Sequence, residues 1–88
     1  MIFEENKKLT LQWAKRAHAR YVKIGRLDEA KGIALAVDII GSSDSPVEAL
    51  QALREVIKMY NRESLYNRNL SAHEILKGLD AVYNSLFL

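Results

Sequence analysis

Cysteine is absent from the 88-residue chain. That excludes a disulfide framework and a thiolate zinc site, and it suits a reducing cytosol, so a cytoplasmic location is expected. Proline occurs once, at Pro46, and glycine only at Gly25, Gly32, Gly41 and Gly78. Few positions therefore force the backbone out of a regular helix. No apolar run approaches the ~18–20 residues of a membrane span, and none is expected. The opening Met1-Ile2-Phe3-Glu4-Glu5-Asn6-Lys7-Lys8 is acidic first and basic second. A secretory signal would instead place a basic region before an apolar one. Polar–apolar alternation over the length of a strand is missing as well.

What is present is an ordinary globular balance, with 49% apolar and 27% charged residues, which argues against disorder. A chain this short buries only about 60–65% of its unfolded surface, so a deep catalytic pocket would compete with the core for the same side chains. The net charge of +2 is unevenly placed. Residues 1–41 carry eight Lys/Arg against five Asp/Glu, and residues 42–88 carry five against six. From Lys15 to Arg26 five cations (Lys15, Arg16, Arg20, Lys23 and Arg26) meet no acid.

The 3.6-residue period predicts an all-α, compact, antiparallel four-helix bundle-like single domain over residues 1–88. Its helices are placed at about 3–24, 27–40, 46–63 and 72–87. On the first, Trp13, Ala14, Ala17, Tyr21 and Ile24 share one face. Lys8, Lys15, Arg16, Lys23 and Arg26 oppose them, with Arg20 at the edge. Gly25 supplies the stop. The second helix is apolar nearly all round and belongs at the centre, where the small residues Ala30, Gly32, Ala34 and Ala36 let neighbours approach. After Gly41-Ser42-Ser43-Asp44, a capping box of Ser45 and Glu48 with Pro46 at the first helical position starts the third helix. Its buried stripe is Leu50, Leu53, Val56, Ile57 and Tyr60. A second capping box, Ser71 to Glu74, with Leu70 and Ile75 as a hydrophobic staple, is expected to start the fourth. That helix then buries Ile75, Leu76, Leu79, Val82, Tyr83 and Leu86.

No catalytic, cofactor-binding or metal-ligating set emerges. His18 lies on a helix margin, and His73 lies in a first turn. The adjacent pairs Glu4/Glu5 and Asp28/Glu29 point in different directions on a helix and build no dyad. No nucleophile elbow, phosphate loop or metal spacing is present, and a non-enzyme is expected.

Two resemblances can be named. Tyr21, Gly25 and Ala30 resemble the middle of one tetratricopeptide hairpin, a family whose hairpins stack as protein-binding repeats. The resemblance covers one repeat, Ala14 and Ala34 stand where larger aromatics are usual, and no second copy follows, so it implies a helical hairpin turn. Pro46, Leu50, Leu53, Ile57, Tyr60, Leu70-Ser71 and Tyr83 are similar in spacing to small four-helix bacteriocin immunity proteins. Those are cytosolic, basic and non-enzymatic. No function is carried over from either.

The reading that follows is a small regulatory or adaptor protein that binds a protein partner through helix surfaces. Chains of this size often act as inhibitor or immunity-type proteins of phage or mobile elements. The expected contact surface is Lys15, Arg16, Arg20, Lys23 and Arg26. Leu86-Phe87-Leu88 is expected either to fold into the core or to join a second copy, and the homodimer is the choice made here. Nucleic acid, held by the same cations through its phosphates, is the second choice of partner.

Overall fold

A computed structural model describes residues 2–87, with the side chains of Ile2 and Phe87 outside the description. It contains α1 (Ile2–Lys23), α2 (Leu27–Gly41), α3 (Pro46–Tyr66) and α4 (Leu70–Phe87), and no strand among the described residues. The all-α, four-helix expectation holds. One core draws on all four helices: Ala14 from α1; Ile33, Ala36 and Ile40 from α2; Ala49 and Leu53 from α3; Ile75, Leu79, Val82 and Leu86 from α4. Ile33, Ile40, Leu53, Leu79 and Val82 are the largest side chains sealed completely. Each contributes about 1.5–3 kcal/mol of burial, so stability is concentrated along α2 and α4.

The turns follow from named residues. At the end of α1, Gly25 takes φ +83°. The Arg26 amide then reaches the Tyr21 carbonyl at 2.8 Å, and the Gly25 amide reaches Val22 at 3.2 Å. These two bonds form a Schellman motif. Past α2, the hydroxyls of Ser42 and Ser43 donate to the carbonyls of Asp38 (2.7 Å) and Ile39 (2.6 Å), satisfying the helix end. Ser45 caps α3 as expected, accepting from the Glu48 amide at 3.2 Å. The Glu48 carboxylate reaches back to the Asp44 amide, one residue before the place a strict box assigns it.

Two boundaries differ from the sequence reading. Helix α3 continues to Tyr66, and α4 begins at Leu70. The cap of α4 is Asn69, whose side-chain oxygen accepts from the Ala72 amide at 3.1 Å while its carbonyl accepts from His73. Ser71 is thereby left inside the first turn. Leu70 is 82% exposed and makes no staple. Asparagine is as good an N-cap as serine, and the earlier of two competent caps is the one used. Between the helices Arg68 takes φ 50°, the left-handed role that Gly25 plays in the first turn.

The most extensive packing joins α2 to α4; α1 flanks α2, and α3 flanks α4. At the α2–α4 crossing a Cβ on Gly32 would run into the Ile75 carbonyl, and a Cβ on Gly78 would run into the Glu29 carbonyl. The same two positions approach the amide nitrogens of Leu79 and Ile33, respectively. These contacts are reciprocal. Gly78 lies 46 residues after Gly32 (78 minus 32), and the same shift carries Glu29 to Ile75 and Ile33 to Leu79. It also carries Ala36 to Val82 and Ile40 to Leu86, all four buried. Helices α2 and α4 thus meet reciprocally, each glycine against the backbone of the other helix, with α1 and α3 flanking them.

The centre of α2 is also narrower than its composition implies. Ala30, Gly32 and Ala36 are buried, but Ala34 is only half-buried, and the shift places exposed Asp80 at its equivalent.

Candidate docking surface

Helix α1 lies over the bundle through Phe3, Thr10, Leu11, Ala14, Ala17 and Tyr21. Two polar links fix its register. The Lys7 ammonium donates to the Ser43 carbonyl at 2.8 Å, and the Thr10 and Ser85 hydroxyls meet at 3.3 Å. This inner face is rotated from the one expected. Trp13 is 39% exposed, and Ile24, beyond the helix end, is 59% exposed. With Ala14 and Ala17 at the seam, small side chains bring α1 close, and the bulky indole is left at the rim.

Lys15, Arg16, Arg20, Lys23 and Arg26 are all exposed. Two ion pairs form among the described residues, Arg26–Glu29 at 3.5 Å and Glu74–Lys77 at 3.2 Å. Lys15, Arg16, Arg20 and Lys23 therefore face solvent with no carboxylate against them. Arg16 does touch its own helix, with Nε donating to the Gln12 carbonyl at 3.5 Å. Leu9, Trp13, Arg16 and Arg20 recur at helical spacing along this outer face. Leu9 is 63% exposed. Trp13, Arg16, Ala17 and Arg20 line a cleft of about 220 Å³. The sequence reading placed no aromatic residue among the cations; the structure places Trp13 there. The spacing was legible, but which side of α1 meets the core was not.

Arg26 belongs to a different place. It lines a cleft of about 380 Å³ with Gly25, Asp28, Glu29, Glu74 and Lys77, where both ion pairs lie. The Lys77 ammonium, hydrogen-bonded to Glu74, holds that carboxyl below its ordinary value. Further along α4, desolvation raises Asp80. At the α3–α4 turn the Ser64 hydroxyl and His73 Nδ1 are 3.5 Å apart, without a carboxylate to orient the ring among the described residues.

Of the C-terminal trio, Leu86 is 4% exposed and belongs to the core cluster. Its side chain is enclosed within the chain itself, so it is removed from the proposed self-association surface. The Phe87 side chain and Leu88 lie outside the described residues.

No protein-family model, curated protein or solved structure was found to match this chain.

Proposed function

We propose that this chain is a small, non-enzymatic adaptor or regulatory protein that docks on an acidic protein partner through the outer face of α1. The observation that supports this best is that Lys15, Arg16, Arg20 and Lys23 stand exposed on one helix without carboxylate partners among the described residues. Charge of one sign steers encounter and selects a complementary surface. Exposed Leu9 and Trp13 beside the cations add the apolar component that a protein interface needs at its centre. The non-enzymatic part of the reading rests on the sequence, which offers no nucleophile, metal or phosphate motif.

A second reading, nucleic acid, is favoured by one observation: Trp13 beside Arg16 and Arg20 combines a stacking surface with phosphate-binding groups. Leu9 has no part in that reading. The test is capture from host lysate, with and without nuclease, by the native chain and by an Arg16→Glu, Arg20→Glu, Lys23→Glu variant with unchanged helical circular dichroism. A stoichiometric protein that survives nuclease and is lost with the variant supports the proposal. Capture that disappears with nuclease moves the surface to nucleic acid. Capture that is indifferent to the substitutions removes α1 from the interaction.

A further inference from the structure

Within that docking surface, and resting on the reading of it as a protein interface, we propose that the cleft between Trp13 and the Arg16–Arg20 pair is an anchor pocket. It takes one aromatic or large aliphatic side chain that an acidic helical segment of the partner carries beside its carboxylates.

The cleft has the necessary size. It is open to solvent on one side and measures about 220 Å³, more than the roughly 150 Å³ in which benzene fits. Its walls have two chemistries. Trp13 and Ala17 supply apolar surface to the lining, and Arg16 and Arg20 supply positive charge. Arginine suits this position because its planar group stacks on an aromatic ring while its edge binds a carboxylate through two parallel hydrogen bonds. Neither guanidinium has an acid to pair with among the described residues, so a partner carboxylate adds an ion pair without breaking one.

Leu9, one turn before Trp13 and 63% exposed, extends the apolar strip in line with the pocket. A helix laid along α1 would cover that strip, as in helix-in-groove recognition.

Trp13 is the only tryptophan, so its emission reports the pocket directly. The full chain is titrated with four probes: an amphipathic peptide bearing Glu on one face and a single Phe on the other, the same peptide with Phe→Ala, oligoglutamate, and a short oligothymidylate. The proposal expects saturable binding of the Phe peptide with a blue shift of Trp13. The Ala peptide should bind at least about tenfold more weakly. Ala17→Glu, which puts a carboxylate into the cleft, should erase the difference between the peptides. Trp13→Met, followed by calorimetry, should do the same if the glutamate variant fails to fold. Equal binding of both peptides overturns the anchor pocket and leaves the basic face standing. Binding of oligothymidylate alone, or of none of the probes, overturns both.

Discussion

Gly32 and Gly78 occupy the same place in the two halves of the chain, and neither can carry a side chain without displacing the backbone of the opposite helix. Gly32→Ala and Gly78→Ala should each destabilise by about 1–3 kcal/mol, the usual cost of overpacking. The gain in helix propensity, up to about 1 kcal/mol, works against this cost and is smaller. Gly41 has nothing within reach of a new Cβ and a φ outside the left-handed range. Gly41→Ala should therefore stabilise by about 0.4–1 kcal/mol. Denaturant melts of the three variants decide the matter. An alanine at 32 that behaves like the one at 41 would mean that the crossing is looser than described.

The start of α4 can be assigned by substitution. Asn69→Ala should cost about 1 kcal/mol because the Ala72 amide loses its acceptor. Ser71→Ala should be near neutral, since its hydroxyl caps nothing here. If thermal denaturation reverses this order, the helix begins two residues later and the serine box is the true cap.

Two carboxyls on α4 are displaced in opposite directions. Glu74 lies below its ordinary value, chiefly because Lys77 donates to it. Its contribution to stability is present above the unfolded glutamate range and is lost as pH falls through the lowered value. Asp80 lies above its ordinary value through desolvation. Its contribution is present below the unfolded aspartate range and is lost as pH rises through the raised value. Carbon-detected NMR titration should show the two midpoints shifted apart. Lys77→Met should return Glu74 toward its ordinary value. Asp80→Asn should stabilise the protein at neutral pH relative to pH 3, and an unchanged difference would show that Asp80 is fully solvated.

Leu86 separates a core role from an interface role. Leu86→Ala should lower stability by roughly 2–5 kcal/mol, as for any enclosed leucine, with no change of mass while the protein stays folded. A change of mass by light scattering at native stability would return this residue to a contact between copies.

Most of the helices were legible because their signals are local. Gly25, Ser45, Pro46 and the apolar stripes each act within a few residues, and the boundaries of the first three helix starts follow from them. Asn69 escaped notice because Ser71-Ala72-His73-Glu74 has the better-known pattern, and nothing local ranks two adequate caps. The outer face of α1 was half legible. The run of cations is visible in the sequence, whereas the exposure of Trp13 depends on how closely Ala14 and Ala17 let α1 approach α2. The reciprocal crossing of α2 and α4 was the hardest to see. Across the 46-residue shift from α2 to α4 only Lys31/Lys77 and Gly32/Gly78 are identical, because packing constrains burial and size and leaves residue identity free.

Backbone contact at the crossing also orders the ways in which the molecule can come apart. Amide protons of α2 and α4 around the two glycines are sealed by the opposing helix, so they should exchange with solvent only when the whole chain unfolds. Helix α1 gives Ala14 to the core cluster and otherwise packs on it through half-buried side chains and two polar links, so its amides can exchange through a smaller opening, at lower free energy. The face offered to a partner therefore sits on the more labile part of the molecule, and occupancy of that face should slow exchange along α1 while leaving the centre unchanged.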